Sequence, residues 1–111
     1  MESDFSSLLL SPELLAVVGE LGYVHPTPIQ RESIPVLLAG KDLVGQSKTG
    51  SGKTAAFALP ILQRLDLSNR SVQALVLCPT RELSTQVARE IRGVGRRHAG
   101  LGVVELVGGQ S

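Results

Sequence analysis

Apolar residues near the N-terminus repeat at the spacing of an amphipathic helix. Ser11 followed by Pro12 predicts an N-cap and a first helical position, and Gly22 predicts the end of that helix. The apolar positions between them are three or four residues apart: Leu14, Val18 and Leu21. The pattern therefore predicts one helix whose apolar face packs against the rest of the chain.

A second short helix is predicted to begin at Pro28. Pro35 interrupts the pattern, because proline removes a helical N–H and its ring crowds the preceding turn. We therefore expect a break at Pro35 and a further turn through Leu38 that Gly40 ends.

The rest of the chain alternates short apolar runs with longer helical patterns. A linker is expected over 66–71. Strands are predicted near 42–46, 73–78 and 103–107, with helices at about 53–65 and 81–94. The order β-loop-α-β-α-β with apolar strands is typical of an α/β fold with a parallel sheet flanked by helices.

Composition limits the classes of protein that the chain can belong to. With 111 residues it forms one small domain, and a net charge of +1 excludes a broad basic surface, so any nucleic-acid contact must be local. The single cysteine, Cys78, lies in an apolar run and is predicted to be a small buried side chain. The run Leu8–Leu10 is far too short for a membrane segment, so we expect a cytoplasmic protein that does not associate with membranes.

The stretch GQSKTGSGKT, residues 45–54, follows the first predicted strand and opens a helix. Glycines allow consecutive backbone N–H groups to turn toward a phosphate, and the helix N-terminus adds partial positive charge. In this arrangement Lys53 reaches the β- and γ-phosphates and the Thr54 hydroxyl coordinates Mg²⁺. Ser47 replaces the first glycine of the usual pattern, and a small residue still fits there.

Two interpretations apply to Thr27 and Gln30. Their spacing is that of a capping box, in which the Gln30 amide accepts from the Thr27 backbone N–H. The same amide carries a donor and an acceptor, and it could pair with N7 and the exocyclic amino group of adenine. The two interpretations do not exclude each other.

Four motifs in order resemble those of bacterial DEAD-box ATP-dependent RNA helicases. Phe5 together with Gly22–Gln30 resembles the adenine-reading Q motif, spanning 5–30, and 47–54 resembles the phosphate loop. The stretch PTRELSTQ, residues 79–86, resembles the first RNA-backbone motif, and the pair at 108–109 resembles the glycine doublet that follows it. The resemblance covers essentially all of 1–111 and implies the N-terminal part of the first RecA-like domain, ending before the Walker B strand.

The resemblance also implies roles for single residues. Thr27 and Gln30 would recognise adenine, with the ring of Phe5 or Tyr23 against the base, and ATP and Mg²⁺ would be the cofactors. The phosphates would be held by Lys48, Thr49, Gly50, Ser51, Gly52, Lys53 and Thr54; Lys53 and Thr54 would be the catalytic residues, and Thr54 the metal ligand. RNA would be contacted by Pro79, Thr80, Arg81, Glu82, Gly108 and Gly109.

The RNA-backbone stretch has a physical rationale of its own. It lies at the carboxyl end of a predicted parallel strand, where open α/β sheets bind ligands, and it begins a helix. Glu82 could instead simply stabilise the first helical turn. Further along, Arg89, Arg92 and Arg96 form a basic stripe that could extend an RNA track or could be a solvated helix face.

Hydrolysis of ATP by a P-loop enzyme needs an aspartate at a second strand end and a group that orients water. The aspartates of this chain are Asp4, Asp42 and Asp66, and none follows a predicted strand after the phosphate loop. We therefore expect an RNA helicase whose full-length form couples unwinding to ATP hydrolysis, while these 111 residues bind adenine nucleotide at most.

Two other classes remain as alternatives, namely a stand-alone nucleotide- or RNA-binding module without catalysis and an unrelated P-loop kinase. A sheet that ends after its third predicted strand would leave an exposed edge, through which copies of the chain could self-associate.

Overall fold

The computed structural model describes residues 4–46 and 52–108. A 3₁₀ turn over Phe5–Leu8 precedes four helices. The helices are α1 (Pro12–Glu20), α2 (Pro28–Leu38), α3 (Lys53–Arg64) and α4 (Arg81–Val94). All four were predicted, whereas the 3₁₀ turn was not.

The predicted helix starts are confirmed by side-chain caps. The Ser11 hydroxyl accepts from the Leu14 N–H at the start of α1, with Pro12 at the first helical position. Thr80 accepts from the Leu83 N–H at 3.1 Å and begins α4 in the same way. These caps satisfy N–H groups that the first helical turn leaves without partners.

Gly22 and Gly40 end α1 and α2 in the left-handed conformation, with φ of +82° and +80°. After α1, the Tyr23 N–H donates to the Val18 carbonyl at 3.0 Å and the Gly22 N–H donates to Gly19. This pair of bonds is a Schellman motif, which turns the chain sharply after the helix. It brings Tyr23 back toward the N-terminal segment.

The predicted break at Pro35 was wrong, because α2 runs through it without interruption. Pro35 cannot donate to the Arg31 carbonyl, four residues earlier, but both residues are exposed and water can satisfy that carbonyl. The Pro35 carbonyl accepts normally from the Ala39 N–H at 3.1 Å. Exposure therefore lowers the penalty on which the prediction rested.

The core lies among the helices and the N-terminal turn. Leu14, Ile34, Leu59 and Leu62 are almost fully buried in it. Phe5 and Leu8, from the unpredicted turn, belong to the same cluster and close one side of it. Burial of such side chains contributes roughly 1.5–3 kcal/mol each, so this cluster is the main source of stability.

The three predicted strands are not formed in the described residues. The segments 41–46, 72–78 and 101–107 contain no strand pairing, and several of their apolar side chains are exposed, including Val44 at 93% and Leu77 at 85%. Cys78, predicted to be buried, is half-buried. A strand depends on a neighbour about 4.8 Å away, which local sequence does not supply. The predicted parallel sheet is therefore not confirmed.

The segment 101–107 is held by α4 instead. Its side chains alternate between half-buried and exposed, as on a surface covered on one face. Arg92 of α4 donates to the Val103 carbonyl at 2.9 Å, and Thr85 donates to Glu105 at 3.0 Å. One face of this segment is thus fixed against the helix while Val104 and Leu106 point outward.

Within the described part of the chain, no helix is long and apolar enough to cross a membrane.

Candidate functional site

Gln30 connects two separate parts of the chain. Its amide oxygen accepts from the Thr27 N–H at 3.0 Å, and the Thr27 hydroxyl accepts from the Gln30 N–H, which completes the predicted capping box. Its amide nitrogen donates to the Gly52 carbonyl at 3.2 Å. With 4% of its surface exposed, Gln30 is a buried polar group whose two amide ends both have partners.

Gly52 is required where Gln30 meets α3. It precedes Lys53 with φ of +85°, a conformation that side chains disfavour. A Cβ at this position would lie under 3.0 Å from the Gln30 amide nitrogen and 3.2 Å from the Thr27 hydroxyl. The absence of a side chain at Gly52 thus permits the contact between the two motifs, and sequence reasoning assigned Gly52 to phosphate without finding this contact.

Lys53 and Thr54 form the first turn of α3. Lys53 is exposed and Thr54 is half-buried. Gly52 supplies no side-chain cap, so the first N–H groups of α3 have no side-chain acceptor there. That is the arrangement by which a helix start binds an anion. The other predicted phosphate contacts, Lys48, Thr49, Gly50 and Ser51, lie outside the described residues.

The two predicted aromatic residues lie together but differ in exposure. The rings of Phe5 and Tyr23 stack with centroids 6.4 Å apart and an interplanar angle of 28°. Phe5 is 3% exposed, whereas Tyr23 is 46% exposed. Only Tyr23 therefore presents a substantial accessible surface to a ligand, and Phe5 supports it from the core.

Tyr23 and Thr54 also line a cavity of about 220 Å³, together with residues of α4 that include Gly93. Gln30 and Thr27 are not among its lining residues. Sequence reasoning missed this cavity, because it depends on how α3 packs against α4.

The predicted RNA-backbone residues that the structure describes are exposed. Pro79, Thr80, Arg81 and Glu82 surround the start of α4, and Glu82 occupies its first turn. A Cβ on Gly108 would lie 3.4 Å from the Arg81 guanidinium, so the structure brings these two predicted sites together. Gly109 lies outside the described residues.

Two members of the basic stripe have structural partners. Arg92 pairs with Glu105 at 3.6 Å, and Arg96 pairs with Glu20 at the end of α1. Arg97 binds the same carboxylate. Hydrogen bonds from Arg96 and then Arg97 hold the pKa of Glu20 below its ordinary value. The stripe therefore joins α4 to its neighbours, and Arg89 is the member that borders the cavity.

The aspartates do not converge on a common site. Asp4 accepts from Ser6, and Asp66 accepts from the Ser68 hydroxyl at 2.6 Å and from its N–H at 3.1 Å. The hydrogen bond from the serine side chain, and after it the one from the serine backbone N–H, lowers the pKa of each carboxyl group. In the described ranges, histidine, cysteine and acidic side chains form no group that could hold a metal ion.

Known proteins are similar to this chain in sequence. The model of the DEAD/DEAH box helicase family matches residues 27–111. The ATP-dependent RNA helicase DeaD of Escherichia coli (strain K12) is 50% identical over 109 residues, which cover 98% of this chain and 17% of that protein.

Solved structures are similar as well. Prp28 from Chaetomium thermophilum bound to ADP matches with a TM-score of 0.85 and 44% identity, over 97% of this chain and 27% of that one. Dbp5 of S. cerevisiae bound to RNA and ADP BeF3 matches with a TM-score of 0.80 and 37% identity, over 84% of this chain and 24% of that one.

The chain therefore belongs to the DEAD/DEAH box helicase family, and its structural neighbours are RecA-like domains of that family. It spans about a sixth of the length of its curated relative from E. coli.

Proposed function

We propose that this chain is the adenine-nucleotide-binding part of an ATP-dependent RNA helicase, in which unwinding of RNA duplexes is coupled to ATP hydrolysis. The observation that carries the proposal is the contact of Gln30 with Gly52, because it joins a base-reading motif to a phosphate-binding one. An unrelated P-loop kinase would explain the phosphate loop but not the Thr27–Gln30 box or the stretch at 79–86.

Gln30 can read adenine without giving up its structural bonds. An amide group has two acceptor positions and two donor hydrogens, and the protein uses one of each. The remaining donor suits adenine N7, and the remaining acceptor suits the exocyclic amino group. Guanine would place a second acceptor, O6, against the amide oxygen, so the same geometry disfavours it. Tyr23, supported by Phe5, would cover the face of the base.

The phosphates would follow at the start of α3. Lys53 would neutralise the β- and γ-phosphates, and Lys48, Thr49, Gly50, Ser51 and Gly52 would supply backbone or side-chain contacts. Thr54 is the residue that would hold Mg²⁺, which shields phosphate charge when bound. The open helix start and the exposed Lys53 amine are consistent with this use.

Substitution of Gln30 tests the assignment of the base. Gln30→Glu keeps an acceptor for the Thr27 N–H but removes both the donor to N7 and the donor to the Gly52 carbonyl, so ADP affinity should fall about tenfold or more and the preference for ADP over GDP should be lost. Gln63→Glu is the matched control, because Gln63 accepts from the Ser11 N–H at 2.7 Å and lies at the far end of α3. Calorimetric titration with ADP would contradict the assignment if Gln30→Glu and Gln63→Glu bound equally well.

RNA would bind at the start of α4. Thr80 and Arg81, with Pro79, Glu82 and Gly108 beside them, offer exposed polar groups and a helix N-terminus to the RNA backbone. Gly109 is proposed as a further RNA contact. Arg81→Ala should weaken binding of single-stranded RNA and reduce its salt dependence, as loss of one phosphate contact requires. Arg70→Ala, on an exposed linker, is the control in a fluorescence anisotropy titration.

We infer that these 111 residues alone bind nucleotide without hydrolysing it. Asp4 and Asp66 are engaged by neighbouring serines, and Asp42 is exposed. The chain would then behave as a nucleotide- or RNA-binding module, whereas a longer gene product would hydrolyse ATP. RNA-stimulated phosphate release should be measured on the 111-residue chain and on the longer gene product. The proposal expects release from the longer product alone.

The segments 41–46, 72–78 and 101–107 are proposed to pair as parallel strands, as their apolar sequences predict. Their exposed apolar side chains also favour self-association through a sheet edge in a cytoplasmic setting. Light scattering at increasing concentration tests this proposal, and a monomer at every concentration would contradict it.

A further inference from the structure

Glu105 occupies a position where the pattern of its segment favours an apolar side chain. In 101–107 every second residue is half-buried and those between are exposed. The half-buried residues are Leu101, Val103, Glu105 and Val107. Glu105 is the charged residue among these four, and its side chain is only 23% exposed. Apolar packing against α4 does not explain a carboxylate at this position, because partial burial of a charge is unfavourable without partners.

Two side chains of α4 bind the two oxygens of Glu105. The Thr85 hydroxyl donates to Oε2 at 3.0 Å, and the Arg92 guanidinium lies 3.6 Å from Oε1. Arg92 also donates to the Val103 carbonyl at 2.9 Å. Thr85 and Arg92 are about two helical turns apart and so lie on the same face of α4. A slip of the segment by one residue would turn Glu105 away from α4, so these contacts fix its register.

The register of this segment determines where Gly108 lies. Gly108 follows Glu105 by three residues, a span of at most about 10 Å. It lies beside Arg81 in the first turn of α4, since a Cβ on Gly108 would be 3.4 Å from the Arg81 guanidinium. Thr85, which holds Glu105, is one turn further along the same helix. The contacts of Glu105 therefore fix the spacing between Gly108 and Arg81.

We propose that Glu105 is a positioning residue for RNA binding, because its contacts with Thr85 and Arg92 keep Gly108 beside Arg81 on one stretch of RNA backbone. It would act in this way only if RNA binds at the start of α4, and so it rests on the proposed function. By charge alone Glu105 opposes RNA binding, since a carboxylate repels phosphate. Positioning and charge thus predict opposite effects of removing this side chain.

Two variants of Glu105 separate these effects. Glu105→Ala and Glu105→Gln remove the same charge, but only glutamine keeps an oxygen that accepts from Thr85 and Arg92. The whole 111-residue chain would be titrated into a fluorescein-labelled single-stranded oligouridylate and followed by fluorescence anisotropy. Glu105→Gln should bind at least as tightly as the parent, and Glu105→Ala about threefold or more weaker than Glu105→Gln. Equal affinity of the two variants would overturn the proposal.

Glu90 provides the matched control pair. It is exposed on α4, and it accepts from Gln86 of the same helix at 3.4 Å. It lies about 13 Å from Arg81 along the helix axis, a distance similar to that between Glu105 and Gly108. Glu90→Ala and Glu90→Gln should therefore bind RNA equally well. A deficit of Glu90→Ala as large as that of Glu105→Ala would overturn the proposal.

Thr85→Val tests the same contact without changing charge. It removes the hydroxyl that donates to Glu105 and keeps the shape of the side chain, and its exposed position should leave folding intact. RNA affinity should fall about threefold, as in Glu105→Ala relative to Glu105→Gln. Unchanged affinity in Thr85→Val would overturn the proposal.

An NMR measurement without RNA tests the positioning separately. The amide chemical shift of Gly108 should change in Glu105→Ala and stay close to that of the parent in Glu105→Gln, while the circular dichroism of the helices is the same in all three chains. An unchanged Gly108 shift in Glu105→Ala would overturn the proposal whether or not RNA binds. Absence of RNA binding by the parent chain would instead contradict the proposed function.

Discussion

Gly52→Ala should destabilise the chain by more than its backbone conformation alone explains. Its φ of +85° costs any other residue about 1–2 kcal/mol. The new Cβ would also lie too close to the Gln30 amide nitrogen, so Gln30 must move and release the Gly52 carbonyl. Loss of that hydrogen bond adds about 1 kcal/mol or more. We expect the free energy of unfolding to fall by roughly 2–4 kcal/mol.

Gly22→Ala provides the comparison. Its φ of +82° is nearly the same, but a Cβ there would meet no atom within 4 Å. Only the backbone penalty of about 1–2 kcal/mol should appear, in urea denaturation followed by circular dichroism. When the same substitution at Gly52 is made in a Gln30→Ala background, the clash with Gln30 is gone and its cost should fall toward that of Gly22→Ala. Equal losses for Gly52→Ala and Gly22→Ala in the parent chain would refute the reasoning.

Other predictions concern the helices. Hydrogen bonds from arginines lower the pKa of Glu20, so its stabilising contribution is present above the ordinary value of 4.5 and is lost as the pH falls through the lowered pKa. Glu20→Gln should therefore be less stable than the parent at neutral pH, and the gap should narrow between about pH 6 and pH 3 in urea denaturation. Thr80→Ala removes the α4 cap and should cost about 1 kcal/mol by the same measurement. Pro35→Ala restores a helical donor and should stabilise the chain by between about 1 and 3 kcal/mol.

Each of these has an outcome that would contradict it. A pH-independent difference between Glu20→Gln and the parent would show that the arginine pairs contribute nothing. Unchanged stability of Thr80→Ala would mean that water caps α4 equally well. A loss of stability in Pro35→Ala would mean that the proline ring packs favourably where it stands.

Local signals in the sequence predicted the helices well. Ser11 and Thr27 cap the helices that their spacing indicated, because a cap depends only on residues three or four positions away. Thr80, predicted as an RNA contact, also caps α4. Pro35 was misread, since the penalty of a helical proline depends on exposure, which the local sequence does not reveal.

Contacts between distant residues could not be predicted. The bond between Gln30 and Gly52 joins residues 22 positions apart, and the cavity at Gly93 requires α3, α4 and the segment 21–23 to pack together. The predicted strands failed for the same reason, because strand formation also depends on contacts between distant residues. The apolar run 72–78 has strand-forming residues, but a ladder needs a partner, and no described segment pairs with it.

The central claim is that residues 27–54 form an adenine-nucleotide site, and calorimetric titration tests it most directly. ADP, ATP and GDP would each be added with Mg²⁺ to the chain and to Lys53→Ala. We predict binding of ADP and ATP in preference to GDP, lost or strongly weakened in Lys53→Ala. Equal affinity for GDP, or binding that Lys53→Ala leaves unchanged, would contradict the account.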